Sequence, residues 1–167
     1  MAWTQQMVQL APALVLGERE LCRTLLEDAL RLADTPYAKL EVCRVALEYA
    51  ARFQEWQYAE TFGDEALARA RRSHGRWYIA HHCRSLGSHR RATGRLDEAD
   101  ALLSEAADLF RALDCPWDLA FALRESALLR RTQHRDADAT ALLQESIRLF
   151  DANGARPDAE RARAMQD

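Results

Sequence analysis

A shift of 40 residues lays the second half of this chain over itself. Arg95 falls on Arg135, Ala99 on Ala139, and the Ala-Leu-Leu run of 101–103 on 141–143. Glu105 then meets Glu145, Leu109 and Phe110 meet Leu149 and Phe150, and Asp118 meets Asp158. A fixed period of this size marks an array of like units, each burying its apolar face against the next. The frame extends backward: Trp117 falls on Trp77 and Tyr37, Ala99 on Ala59, and Cys83 on Cys43. His74, Asp114 and Gly154 mark equivalent breaks.

Within this frame the apolar residues recur at the helical spacing of three and four. Leu21, Leu25, Leu26, Ala29 and Leu30 form one such stripe, and Leu40, Cys43, Ala46, Leu47 and Ala50 another. No segment alternates with period two, so strands are not expected. Helices are predicted over 2–10, 18–33, 37–53, 56–73, 77–93, 97–113, 117–133, 136–150 and 157–165, with Pro12 ending or kinking the first. The connections are two to five residues, which makes successive helices antiparallel neighbours. The expected architecture is therefore all-α, a right-handed superhelical α-solenoid of antiparallel helix pairs. It forms one domain over 1–167: about four pairs, a half unit at the front, and a short capping helix over 157–165.

Composition agrees. Pro and Gly are scarce, at 4 and 6 copies, while Ala, Leu, Arg and Glu, all strong helix formers, dominate. A formal net charge of -3 gives no bulk attraction to nucleic acid, so direct nucleic-acid binding is not expected. Residues 1–17 carry no charged side chain, yet Gln5, Gln6 and Pro12 fit neither a membrane span nor a signal peptide, and a cytoplasmic protein off the membrane is expected. Cys22, Cys43, Cys83 and Cys115 form no CxxC pair. Cys43 and Cys83, one period apart, are expected as two reduced core thiols, and neither zinc nor any other cofactor is expected.

A 40-residue period suits several helical repeats. The stretch AHHCRSLGSHRRATGRLDEADALLSEAADLF from Ala80 resembles a tetratricopeptide repeat: Leu86 and Gly87 at the close contact of the first helix, Gly94 at the turn, Ala99 and Ala106 in the second helix. The ending RLFDANGARPDAERARAMQD looks like the close of the tetratricopeptide region in large ATP-binding bacterial transcription regulators of the LuxR type, the maltose-regulator relatives. That resemblance implies the sensing or interaction part of a regulatory protein. No GxxxxGK[ST] phosphate loop occurs, so ATP binding is not carried over, and neither is the family's DNA binding.

Within such a repeat, the groove face of the first helix carries His81, Arg84, Ser88 and Arg91. One unit earlier it carries Glu41, Arg44, Glu48 and Arg52, and one unit later Phe121, Arg124, Leu128 and Arg131. Arg44, Arg84 and Arg124 thus share one register position, with Arg91 and Arg131 as a second short row. Guanidinium groups grip carboxylates and phosphates in a bidentate fork, so the expected partner is an acidic protein segment or a small anionic effector. The bland alternative is a solvated face whose arginines pair locally, Arg44 with Glu41 or Glu48. His81, His82, Cys83 and His89 are too far apart around the helix for one metal ion. No nucleophile elbow or ordered triad is present, so a non-catalytic module is expected. An enzyme using His81, His82 or Glu48 as acid or base is the lesser reading. The aromatic residues at helix starts are expected to pack between units, with Trp3 at an open front edge. The charge-free first helix also suits self-association into a homo-oligomer.

Overall fold

The computed structural model describes residues 2–166. Among the described residues there are nine α-helices and no strand. They are α1 (Ala2–Leu16), α2 (Arg19–Leu32), α3 (Pro36–Phe53), α4 (Asp64–Arg72), α5 (Arg76–Ala92), α6 (Leu96–Ala112), α7 (Pro116–Thr132), α8 (Asp136–Ala152) and α9 (Arg156–Arg163). A π-helical segment, Ala59–Gly63, leads into α4. No described helix is long and apolar enough to cross a membrane. The chain divides inside α5 into two compact units, Met1–Tyr78 and Ile79–Asp167.

From α4 onward each connection is three residues: 73–75, 93–95, 113–115, 133–135 and 153–155. The turns share one hydrogen-bond pattern. His74, Gly94, Asp114, His134 and Gly154 all take a left-handed conformation, with φ between 53° and 79°. The amide that follows each of them donates back to a carbonyl five residues earlier: Arg95 to Arg90 at 2.8 Å, Cys115 to Phe110 at 3.0 Å, Arg135 to Arg130 at 2.8 Å, Ala155 to Phe150 at 2.9 Å. This closing pattern occupies carbonyls that the end of a helix leaves without a partner. Within the second unit the tight reversal sends the next helix back beside its predecessor, α7 beside α6, α8 beside α7 and α9 beside α8.

In the first unit α1 packs on α2, and α2 on α3. Leu10, Cys22, Leu26, Ala29, Val42 and Tyr49 are all fully buried in one core. Two expectations change here. Pro12 neither ends nor splits α1, which runs on to Leu16. A proline inside a helix costs about 3 kcal/mol, and burial of Leu10 and Ala13 on either side holds the turn across the missing bond. The second change lies in the regular helix predicted over 56–73. It opens into the π-helical segment, just before which Tyr58 sets its ring edge-on to Tyr49, 5.7 Å between centroids. Thr35 caps α3, its Oγ1 accepting from the Ala38 amide at 3.1 Å, and Pro36 occupies the first helical position, where it needs no donor.

In the second unit Gly87 of α5 meets Leu103 of α6: a Cβ built on Gly87 would lie 2.6 Å from Leu103 Cγ. The close contact inferred at Leu86-Gly87 is therefore present. Arg130 of α7 grips Asp100 of α6 in a bidentate fork, 2.9 and 2.7 Å, and the Ser146 hydroxyl of α8 donates to the Ala120 carbonyl at 2.7 Å. Ala120, Phe150, Ala159 and Ala162 close the far end around α9.

The aromatic side chains at helix starts sit farther out than expected. Trp77 and Trp117 are partly exposed and stack edge-on upon Tyr78 and Phe121 of their own helices, at 5.1 and 4.8 Å. Trp3, expected at an open edge, is buried. All four cysteines are free thiols, with Cys22 and Cys83 buried.

Candidate functional site

The second unit gathers three of the arginines singled out in the sequence. Arg84 and Arg124 both lie over the ring of Phe121, their guanidinium carbons 5.6 and 4.9 Å from its centroid. Phe121 is held in place edge-on by Trp117 and Phe150, each 4.8 Å away. The Ser88 hydroxyl donates to Glu125 Oε2 at 2.6 Å, Arg91 Nη2 approaches the same oxygen at 3.7 Å, and Arg124 Nη2 reaches Oε1 at 3.3 Å.

Glu125 is thus a carboxylate at the centre of a guanidinium cluster. Burial alone would push its carboxyl up, because a charge leaving water is disfavoured. The net shift is nonetheless downward, since Arg124, the Ser88 hydroxyl, Arg91 and Arg84 all favour the ionised form. The one carboxylate is shared by the guanidinium groups of Arg91 and Arg124, with Arg84 also near it. Arg91 and Arg124 keep 23% and 19% of their side chains exposed, enough for a ligand to reach. Arg91 Nε is buried with no hydrogen-bond partner among the described residues. Arg131 stands half-buried in the last turn of α7, beyond Arg124 on the same helix.

The α5 face does not look onto open solvent as the repeat frame suggested. His81, Arg84 and Ser88 are buried, and they meet α7 at a constant offset of 37 residues: His81 with Asp118, Arg84 with Phe121, Ser88 with Glu125. His81 Nε2 lies 3.5 Å from Asp118 Oδ1, and its ring stands edge-on to Phe110 at 5.1 Å. His82 is fully buried. Among the described residues no three His, Cys, Asp or Glu side chains gather into a metal-binding group.

Arg44 and Glu48 belong to the first unit. Arg44 Nη2 donates to Glu41 Oε1 at 2.7 Å and Nη1 to Glu48 Oε2 at 3.1 Å, and the guanidinium carbon lies 5.2 Å from the Trp77 ring centroid. Burial opposes its charge, and the two glutamates more than restore it, so Arg44 is held protonated more firmly than usual. The local pairing weighed as the bland alternative is therefore present at Arg44. Glu41 also hydrogen-bonds Tyr78, again 37 residues on.

Glu125 was missed by reasoning in the repeat frame. Its equivalents one and two periods earlier are Ser85 and Val45. A charge where an earlier unit carries a core valine was the available signal.

No protein-family model and no curated protein matches this sequence. Among solved structures, the chain is similar to the crystal structure of BtubC (BKLC) from P. vanneervenii. The TM-score is 0.66 at 14% sequence identity, over 95% of this chain and 76% of that one. At such an identity the likeness is one of fold.

Proposed function

We propose that this protein is a non-catalytic binding module of a bacterial regulatory or signalling system. In this reading it is built as a right-handed α-solenoid of tetratricopeptide type with 40-residue units. It takes an acidic peptide segment, or a small anionic effector of the same chemistry, on the arginine face of α5 and α7. The solenoid part draws support from helix starts at residues 76, 96, 116, 136 and 156, two helices to each period. It also draws support from the 37-residue offset, which recurs between Glu41 and Tyr78 in the first unit and along α5 and α7 in the second.

The observation that carries the binding part is the guanidinium cluster around Glu125. Glu125 draws Arg91 and Arg124 to one place, and two guanidinium groups sharing a single carboxylate can accept a second one. Arg91 and Arg124 are the ligand-facing members, Arg84, buried over Phe121, is the support, and Arg131 would extend the face two turns farther along α7. A fluorescein-labelled hexaglutamate peptide tests this by anisotropy on the full chain at low ionic strength. The doubly substituted R124Q/R131Q protein is expected to bind at least tenfold more weakly, and added salt to weaken the parent. Equal affinity for parent and variant, with the fold intact by circular dichroism, would sink the assignment.

A further inference from the structure

In the second unit Glu125 is held unevenly by its neighbours. The Ser88 hydroxyl donates to Oε2 at 2.6 Å, whereas Arg91 Nη2 stands 3.7 Å from that oxygen and Arg124 Nη2 3.3 Å from Oε1. Contacts between a guanidinium N–H and a carboxylate oxygen close to about 2.7–2.9 Å where the geometry lets them tighten. The same unit holds such a grip at Asp100, where Arg130 places two nitrogens at 2.9 and 2.7 Å. Arg91 and Arg124 each approach Glu125 through one nitrogen and at longer range. The Nε–H of Arg91 takes no partner among the described residues, so Glu125 leaves the side-on fork of Nε and Nη2 unused.

Glu125 is thus bonded firmly to Ser88 and loosely to the two arginines. An incoming carboxylate that meets either guanidinium in a bidentate fork forms closer bonds than the ones it replaces, and Glu125 keeps the Ser88 hydroxyl throughout. The Glu125 carboxyl stays ionised, because Arg124, the Ser88 hydroxyl, Arg91 and Arg84 all favour its charged form. Its charge therefore sits beside the groups a ligand has to take, and like charges brought together oppose binding.

We infer that Glu125 is a built-in competitor of the ligand: it occupies Arg91 and Arg124 in the free protein, and an acidic segment binds by taking those arginines from it. This rests on the reading that the arginines of α5 and α7 receive an acidic segment, and it adds what limits the strength of that binding. A glutamate that only gathered the arginines would act in the opposite sense, since its removal would scatter them and weaken the ligand.

Fluorescein-labelled hexaglutamate, titrated by anisotropy against the full chain at low ionic strength, separates the two. Glu125→Gln keeps an oxygen for the Ser88 hydroxyl and removes the charge, and it is expected to bind the peptide about tenfold more tightly than the parent. Ser88→Ala leaves Glu125 dependent on the arginines alone, so it is expected to bind severalfold more weakly. Glu160→Gln, at an exposed position of α9, changes the net charge equally and is expected to leave the affinity as it was. Binding by Glu125→Gln no tighter than by the parent, or tightened equally by Glu160→Gln, would overturn the inference. So would Ser88→Ala binding as well as the parent, which decides the matter if circular dichroism shows the Glu125→Gln chain unfolded. Any of these results alongside a tenfold loss in R124Q/R131Q leaves the arginine face as the site, whereas R124Q/R131Q binding like the parent removes the face and the competitor together.

Discussion

Replacing Gly87 by alanine places a Cβ 2.6 Å from Leu103 Cγ and 2.8 Å from its Cδ2, inside any real carbon contact. Leu103 is fully buried with Ala99 and Leu129, so it has no free direction in which to retreat. Forcing a methyl into such a core costs about 1–3 kcal/mol, and a contact of 2.6 Å places this site in the upper part of that range, about 2–3 kcal/mol. Alanine in a helix returns about 1 kcal/mol relative to glycine. The two opposing effects leave Gly87→Ala destabilising by about 1–2 kcal/mol. In a Leu103→Ala background, itself costing about 3–5 kcal/mol for the cavity, the obstacle is gone and the helix gain remains. There Gly87→Ala should stabilise by about 1 kcal/mol, giving a coupling on the order of 2–3 kcal/mol between the two sites. Urea unfolding of the four proteins, followed by far-ultraviolet circular dichroism, measures this cycle, provided the slope with denaturant is constant across the set. A Gly87→Ala protein as stable as the parent with Leu103 present, or additive effects in the double variant, would refute the close-contact argument.

The turns offer a cleaner test. A Cβ on Gly94 meets nothing within 4 Å, so Gly94→Ala should cost about 1 kcal/mol from its positive φ alone, whereas His134→Gly, at φ 58°, should gain up to a similar amount in thermal unfolding. Glu125→Gln leaves the surrounding guanidinium groups unbalanced. It should cost on the order of 2 kcal/mol, below the 3–5 of a fully dry pair because the side chain keeps 14% exposure. Because its folded pKa is depressed, Glu125 contributes stability above the ordinary carboxylate range and loses it as pH falls through the depressed value; the glutamine variant should show a flatter decline of stability in acid. In the first unit, the buried Tyr49 hydroxyl donates to Glu55 at 2.8 Å, and Arg19 donates to the same carboxylate. Tyr49→Phe should therefore cost about 1 kcal/mol in urea unfolding, with the Arg19 contact surviving.

The parts of the fold legible in the sequence were those that depend on local chemistry. Gly94 and Gly154 marked turns because left-handed backbone costs glycine nothing, and the 40-residue frame then placed an equivalent break at His74 and Asp114, where no glycine signals it; the same turn at His134 was not singled out. Gly87 stood out as the residue that lets two helices touch. The π-helical segment and the continuation of α1 through Pro12 escaped notice, because in both the packing around Tyr58 and around Leu10 and Ala13 overrides the local preference.

Charge partners divide along the same line. Arg44 with Glu41 and Glu48 was readable, since pairs three and four apart on one helix must face each other. Glu125 with Ser88 and Arg91 was not, because those contacts depend on how α5 and α7 are rotated and shifted against each other, and that is settled by the packing of side chains such as Phe121 between them. The amino-acid sequence by itself determined that the chain is all-helical and where most of its helix breaks fall, both products of interactions within a few residues. Only the tertiary structure decided that α5 buries its polar side and that one glutamate gathers three arginines, since burial and charge pairing across 37 residues are properties of packed helices.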